Sequence, residues 1–230
     1  IMSKNRILTI EQIKESENKF ISKNSEDQLL VIAGRKIGNF LLEKFKGKSV
    51  LFVCGKGNNG QDGIKASKFL KEKIRNNVFL VSKIQSNIKL NKLQSSIKSH
   101  EIIVDCLFGT GLNRILSKFD QKIIELINNS KRKIVSIDIP SGLNSDTGQI
   151  LGSSIIASVT ICMGFYKPAH FLIPSKNYCG EMVLLKLPLK IPSNIKAIAL
   201  IGCIKSTNQK TEENKASTVA SLLKMSPISL

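Results

Sequence analysis

Three clusters of glycine and polar residues follow short apolar runs at separate places in the chain. They are residues 55–63 (GKGNNGQDG), 105–112 (DCLFGTGL) and 138–148 (DIPSGLNSDTG). Glycines let the backbone turn tightly and bring amide N–H groups close to an anion, and a helix N-terminus adds a partial positive charge. The clusters therefore predict loops that bind a polar, phosphate-bearing ligand. A plain strand-to-helix turn is the alternative for the first cluster.

Two acids end apolar runs and are candidates for chemistry. Asp138 is expected to be partly desolvated there, which suits an acid/base group. Asp105 has a similar position, although a simple helix cap is the alternative. Lys167 follows a later apolar run and can meet a phosphate, but a plain surface lysine fits the pattern equally well. His170 is one of two histidines and fits a structural role better than a catalytic one.

The elements that position these clusters alternate between helix and strand. Apolar residues three to four apart predict helices over residues 8–19 and 27–45, with Ser25 as the N-cap of the second. Short continuous apolar runs predict buried strands over residues 49–54, 78–81, 102–105, 134–138, 158–162 and 181–185, with further helices over 63–74 and 117–127. This alternation predicts an α/β fold with a Rossmann-like, doubly wound, mostly parallel sheet and helices on both faces, in three αβα layers. Ligands of such sheets bind at the carboxyl ends of the strands, where the three clusters would meet.

Composition narrows the class of protein. The formal net charge is +18, but the lysines are scattered and aromatic residues make up only 5%, so we expect no specific nucleic-acid binding. No apolar run approaches the ~18 residues of a membrane span, and the polar N-terminus does not predict a secretory signal. We expect a cytoplasmic protein without membrane contact. Five cysteines without zinc-site spacing predict small buried side chains in a reducing compartment.

The three clusters, in this order and with these separations, resemble those of the NAD(P)H-hydrate epimerases, the YjeF N-terminal domain family. The family patterns are Gly-x-Gly-Asn-Asn-Gly-Gly-Asp-Gly, Val-Asp-Ala-Leu/Ile-Phe-Gly-x-Gly and Asp-Ile-Pro-Ser-Gly followed by Asp-Thr-Gly, and the resemblance covers roughly residues 8–190. The chain departs at Gln61, where the family has glycine. It also departs at Val31, where the family has a glutamate in the pattern Met-Glu-x-Ala-Gly. The missing glutamate puts in doubt whatever packing or dimer contact it makes.

The resemblance implies an epimerase of nicotinamide nucleotide repair, which interconverts the R and S forms of NADH or NADPH hydrated at C6 of the ring. It implies that Asp138 is the catalytic acid/base and a substrate contact. It also implies a potassium ion, K+, bound by Asn59, Asp105 and Ser141, whose oxygen donors suit a hard cation. The other substrate contacts would be Asn58, Asn59, Gly60, Gln61, Asp62, Gly109, Thr110, Gly111, Leu112, Asn113, Arg114, Ile115 and Lys167.

The resemblance also sets expectations for partners and domains. We expect a homodimer that is functionally coupled to an ADP- or ATP-dependent NAD(P)H-hydrate dehydratase. Residues 1–190 would form the epimerase domain, and residues 191–230 a tail that is a linker or a remnant of a dehydratase domain. Two alternatives stay open. One is a nucleotide- or protein-binding module of the same fold without turnover. The other is a dehydrogenase that uses intact NAD, which should combine G-x-G-x-x-G with an acid about twenty residues on, a combination the chain lacks.

Overall fold

The computed structural model describes residues 6–81, 86–191 and 198–199, and its centre is a parallel sheet. In the described part of the chain, the sheet has six strands in the spatial order β3-β2-β4-β5-β6-β7. These strands are β2 (Val50–Cys54), β3 (Asn76–Leu80), β4 (Ile102–Cys106), β5 (Lys133–Ile137), β6 (Val159–Met163) and β7 (Glu181–Leu185). β2, β4 and β6 are buried along their whole length, as expected of parallel strands that are covered on both faces.

Helices cover both faces of this sheet and complete the predicted three layers. The α-helices of the described residues are α1 (Ile10–Ile21), α2 (Glu26–Lys44), α3 (Asn58–Leu70), α4 (Asn87–Lys98), α5 (Lys118–Asn128) and α6 (Lys176–Cys179), and the layers are formed by α2 to α5. α2 and α3 pack in the apolar core on one face, and α4 and α5 pack in the core on the other. Ser25 caps α2 as predicted, because its side chain accepts a hydrogen bond from the backbone N–H of Gln28. The doubly wound α/β fold is confirmed.

The order of the strands creates a switch point between β2 and β4. The chain runs from β2 outward to β3 and then returns to β4 on the other side of β2. A crevice opens at such a point beyond the carboxyl ends of the strands, because the two following loops diverge. Gly55 lies at this place so close to the next loop that a Cβ atom on it would be 1.9 Å from the carbonyl oxygen of Leu107. The first glycine of the cluster is therefore required by packing.

Helix α1 lies outside these layers and is attached at its start. Thr9 caps it, and the backbone N–H of Ile10 donates to the carboxylate of Asp146 at 2.9 Å. Ile13 packs with Leu8 and Phe165 in a small separate apolar cluster. Just before α1, β1 (Arg6–Ile7) pairs antiparallel with β8 (Ile198–Ala199) in a two-stranded sheet. The third glycine-rich cluster thus anchors α1 beside the crevice.

Some details of the secondary structure differ from the sequence-based prediction. α3 begins at Asn58 instead of residue 63, since Gly60 fits tightly over the Gly55 carbonyl and allows the helix to start within the cluster. α4 was not predicted, because only Leu93 and Ile97 of this polar segment are buried. Within the described residues, no helix is long and apolar enough to cross a bilayer. Apart from β8, the predicted tail 191–230 is described only at residue 191, so its role stays a prediction.

Four of the five cysteines lie in the described part of the chain. Cys54, Cys106, Cys162 and Cys179 are buried with free thiols. Burial raises the pKa of the Cys162 and Cys179 thiols to about 12, so both stay protonated at neutral pH. The prediction of small buried side chains is confirmed for these four, while Cys203 lies outside the described residues.

Candidate active site

A pocket of about 640 Å³ occupies the crevice at the carboxyl edge of the sheet. Its floor and sides come from the loops after β2, β4 and β5, as the sequence predicts. A further wall comes from helices α1 and α2. Polar groups from distant parts of the sequence therefore converge on one crevice, which is the usual form of a small-molecule site.

The structure brings most of the predicted substrate contacts to this pocket. The residues that line it are Asn58, Asn59, Asp62, Gly109, Thr110, Gly111, Leu112, Asn113, Arg114, Asp138 and Lys167. Gly60, Gln61 and Ile115 do not line it. Gly60 is buried against the preceding turn, and the side chains of Gln61 and Ile115 are exposed to solvent. The helical start of α3 turns Gln61 outward, and the substrate contacts of these three residues stay a prediction.

The glycine spacing in the first cluster has a second feature. Gly55, Gly57 and Gly60 have the G-x-G-x-x-G spacing of dinucleotide-binding turns, and α3 begins directly after Gly57. The adjacent β3 ends at Leu80 without the acid that would bind a ribose hydroxyl in a dehydrogenase. The cluster therefore presents a helix N-terminus to an anion, without that ribose contact.

A buried polar cluster next to the pocket contains Asp105, Ser141 and Asn59. Asp105 on β4 is fully buried and accepts hydrogen bonds from the Ser141 hydroxyl at 2.6 Å and the Ser141 backbone N–H at 2.9 Å. It also accepts from the Ser136 hydroxyl at 2.8 Å and the Leu107 N–H at 3.2 Å. Burial raises the pKa of Asp105, while these hydrogen bonds lower it. No cationic side chain of the described residues pairs with this carboxylate.

Asn59 completes this cluster with a free oxygen. Its amide Nδ2 donates to the carbonyl oxygen of Phe108 at 2.9 Å, and the Ser141 hydroxyl also lies 3.1 Å from that carbonyl. The Asn59 side chain is 7% exposed, and its Oδ1 has no hydrogen-bond partner among the described residues. A buried acceptor without a donor is unfavourable by ~1–3 kcal/mol. The Phe108 carbonyl links Asn59 to Ser141, which in turn binds Asp105, so the cluster combines an orphan oxygen with a buried carboxylate that lacks a cationic partner among the described residues. Such a set of oxygens suits a cation.

Asp138 directly follows β5 and has an unusual backbone. Its φ is +69°, in the left-handed region that a non-glycine residue seldom adopts. The conformation is held because its N–H donates to Ile161 O at 2.8 Å and its carbonyl accepts from His170 Nε2 at 2.9 Å. The side chain accepts from the Met163 N–H at 3.3 Å and forms an ion pair with Lys167. Strained residues that are held this firmly occur often at functional sites.

Lys167 is buried, so the surface-lysine alternative is wrong. Its side chain is 1% exposed, and its Nζ also donates to Met163 O at 2.9 Å. The backbone N–H of Lys167 donates to His170 Nδ1 at 3.0 Å, which places the ring proton on Nε2. Burial and the Lys167 charge lower the pKa of His170 to about 3, so the ring is neutral. His170 therefore has the structural role that the sequence favoured, between Asp138 and Lys167.

Four further acids line the pocket, namely Glu17, Glu26, Asp62 and Asp120, and the sequence predicted only Asp62 among them. Asp62 was expected to contact substrate, whereas Glu17 on α1 was not singled out. Burial and the charge of Asp138 raise the pKa of both carboxyls, and the charge of Glu17 adds to the effect on Asp62. Glu17 occupies the stripe of α1 that also contains Ile10, Ile13 and Ile21. A charged residue within an apolar stripe was the signal in the sequence.

Comparison with known proteins connects this site to a family. A family model described as YjeF-related protein N-terminus matches residues 26–169. The bifunctional NAD(P)H-hydrate repair enzyme Nnr of Dictyoglomus turgidum is 32% identical over an alignment 216 residues long, which covers 83% of this chain and 42% of the relative. The NAD(P)H-hydrate epimerase of Elusimicrobium minutum is 29% identical over an alignment 214 residues long, which covers 80% of this chain and 96% of the relative. The chain thus spans less than half the length of the bifunctional relative.

A solved structure shares the fold. The crystal structure of yeast ynu0 superposes with a TM-score of 0.61 and 18% sequence identity, and the match covers 85% of this chain and 100% of that chain. At this level of identity the similarity concerns the architecture alone. The architecture of the sheet and its helices is therefore that of a known fold.

Proposed function

The chain belongs to the family of YjeF-related protein N-termini, and we propose that it epimerises the R and S forms of NAD(P)H-hydrate in nicotinamide nucleotide repair. The observation that carries the proposal is the ion pair between Asp138 and Lys167 at the wall of a pocket with a helix N-terminus. Relatives named as NAD(P)H-hydrate epimerase and as bifunctional NAD(P)H-hydrate repair enzyme support it. A pocket of about 640 Å³ is within the usual range for a cofactor-sized ligand.

The chemistry of the hydrate calls for proton transfer. Its C6 carries a hydroxyl and is bonded to the ring nitrogen N1. To invert C6, the hydroxyl takes up a proton and leaves as water, while the N1 lone pair forms an N1=C6 double bond. A water then adds to the opposite face of C6 and loses a proton, which restores the hydroxyl. We assign the acceptance of that proton to the Asp138 carboxylate, which Lys167 and the Met163 N–H orient toward the pocket.

The remainder of the pocket supplies binding. The N-terminus of α3 and the glycines of the first cluster offer backbone N–H groups to a phosphate. Arg114 and Lys56 line the same pocket and add positive charge. The loop 109–114 lies beside them and would contact the nucleotide. We propose that the nucleotide phosphates bind here and that the reduced ring extends toward Asp138.

The residues of the buried cluster fit a potassium ion. The orphan Oδ1 of Asn59 offers a donor, and the buried carboxylate of Asp105 lacks a cationic partner among the described residues. Asn59, Asp105 and Ser141 would hold the ion, since hard monovalent cations prefer oxygen ligands. A bound potassium ion would neutralise Asp105 and tie the loops after β2, β4 and β5 together. The proton transfer proposed above takes place at Asp138, which is not one of the residues that would hold the ion.

The partner proposals depend on the same activity. We propose functional coupling to an ADP- or ATP-dependent dehydratase that consumes one of the two forms, because one relative is bifunctional. We also propose a homodimer, which sedimentation equilibrium of the whole chain would test.

One assay tests the function directly. The purified protein is incubated with the R or the S hydrate of NADPH, and the two forms are separated by chiral chromatography over time. We expect interconversion well above the rate without protein. The main alternative is a binding module of the same fold, which would bind the hydrate but leave its rate of interconversion unchanged.

A further inference from the structure

We propose that Glu17 is the second acid/base group of the site and serves the face of C6 opposite Asp138. The inference deepens the proposed function, on which it rests, and adds a residue outside the three glycine-rich clusters. Inversion of C6 needs two proton transfers, one to the leaving hydroxyl and one from the entering water. Asp138 supplies one of them, so a second group is required.

The position of Glu17 is the first argument. Ile10, Ile13, Glu17 and Ile21 recur along one face of α1, and this face forms a wall of the pocket. Asp138 and Lys167 belong to segments that follow strands β5 and β6 at the sheet edge. A ligand between α1 and the sheet edge would therefore meet Glu17 and Asp138 on different sides. That arrangement suits a reaction in which a group leaves one face and returns on the other.

The state of the Glu17 carboxyl is the second argument. It is half-buried, yet it forms no hydrogen bond or ion pair with the part of the chain that the structure describes. By contrast, Glu15 on the same helix pairs with Lys19 at 2.7 Å in solvent. A half-buried carboxyl without a partner is unfavourable for folding, so a role toward a ligand explains its presence.

The charges around Glu17 favour its protonated form. Burial and the carboxylates of Asp138 and Glu26 raise its pKa, whereas Lys167 and Lys14 lower it, and the balance is a raised pKa. Asp62 also faces this part of the pocket, and further out lie Lys56, Arg114 and Asp120. The raised pKa of Glu17 favours the role of proton donor, and the ion pair with Lys167 orients the Asp138 carboxylate for the role of acceptor.

The proposed step is balanced in atoms and electrons. The Glu17 carboxyl gives its proton to the C6 hydroxyl, the C6–O bond breaks, and water leaves while N1=C6 forms. A second water adds to the other face, the new C6–O bond forms as the N1=C6 pair returns to N1, and the released proton goes to Asp138. The site is then ready for the reverse direction, with Asp138 as donor and Glu17 as acceptor. No electrons are transferred to or from the substrate.

The test is the Glu17→Gln variant of the whole chain, measured by the chiral assay across pH. We expect a loss of about 100-fold in kcat with a small change in KM, since acid–base groups contribute on that order. The exposed control Glu15→Gln should keep the wild-type rate. Thermal melting of both variants shows whether Glu17→Gln folds.

Two neighbouring variants keep the assignment testable if Glu17→Gln is unstable. A donor must be protonated, so activity falls as the pH rises through its pKa. This fall is the alkaline limb of the curve of activity against pH. Lys14→Gln removes a charge that lowers the pKa of Glu17, so the alkaline limb should move to higher pH. Glu26→Gln removes a charge that raises it and should move the limb to lower pH. A merely structural role of Glu17 would produce neither shift.

The outcomes separate the two proposals. If the wild-type protein interconverts the hydrates and Glu17→Gln does so at full rate, the role of Glu17 is overturned and the function stands. The role is also overturned if Asp62→Asn abolishes the alkaline limb while Glu17→Gln keeps it, since Asp62 would then be the donor. A wild-type protein that does not accelerate interconversion overturns the proposed function and this inference together.

Discussion

Lys167 and Asp138 form an ion pair whose lysine side chain is 1% exposed and whose aspartate side chain is 15% exposed. His170 connects their backbones, because its Nδ1 accepts from the Lys167 N–H and its Nε2 donates to the Asp138 carbonyl. His170 therefore fixes the backbones of both partners. The Asp138 carboxylate is held in place where it faces the pocket. This relationship leads to the first three predictions.

Asp138→Asn keeps the shape of the side chain and removes the base. We expect epimerisation to fall by about 100-fold or more, the usual contribution of an acid–base group. The measurement is the chiral separation of R and S hydrates under saturating substrate. Asp27→Asn is the matched control, because Asp27 is exposed and pairs with Lys65 outside the catalytic pair. An Asp138→Asn protein that works at the wild-type rate would show that the acid/base assignment is wrong.

Lys167→Met removes the buried charge and leaves Asp138 without its partner. Removing one member of a buried ion pair destabilises a protein by ~3–5 kcal/mol. We expect a loss of this order in the free energy of unfolding, measured by urea denaturation. The double variant with Asp138→Asn should lose less than the sum of the two single changes, because the partners are coupled. Additive losses would mean that the ion pair contributes nothing to folding.

His170 predicts a dependence of stability on pH. Its pKa is about 3 in the folded protein against an ordinary value of 6.5, so between these values the unfolded chain binds more protons. Above pH 6.5 this residue does not reduce the free energy of unfolding. As the pH falls from 6.5 toward about 3, the free energy of unfolding decreases by up to ~1.4 kcal/mol per pH unit because of this residue. His170→Gln should flatten this part of the curve of unfolding free energy against pH. Parallel curves for the two proteins would contradict the neutral, buried ring.

A potassium site at Asn59, Asp105 and Ser141 predicts ion-dependent stability. Potassium should raise the melting temperature by mass action, and sodium should do so less. Asn59→Ala removes the orphan Oδ1 and should abolish the potassium effect, while Asn58→Ala, at the exposed neighbour, should keep it. Equal melting curves in potassium, sodium and a bulky organic cation would argue against the site.

The charge of +18 predicts only weak attraction for nucleic acids. We expect DNA and RNA to bind without sequence preference and to dissociate steeply as salt rises, since scattered lysines contact phosphates alone. Fluorescence anisotropy with two unrelated oligonucleotides at several salt concentrations measures this. Sequence-selective binding below micromolar concentration at physiological salt would overturn the expectation.

The amino-acid sequence by itself determined the alternation of strands and helices and the places where polar clusters follow strands. Nearly continuous apolar runs identify β2, β4 and β6, because strands that are buried on both faces are mostly apolar. Strand-end acids such as Asp105 and Asp138 could be named for the same reason. The order of the clusters along the chain was sufficient to indicate the family.

The tertiary structure alone decided which side chains meet and how far each is buried. Lys167 has the same chemistry in solvent or in a core, and only its packing against Asp138 and Met163 makes it a buried cation. Glu17 belongs to a helix outside the three clusters, and no local pattern shows that this helix forms a wall of the crevice. Burial and proximity depend on contacts between distant segments, whereas sequence periodicity reports only the face that each segment buries.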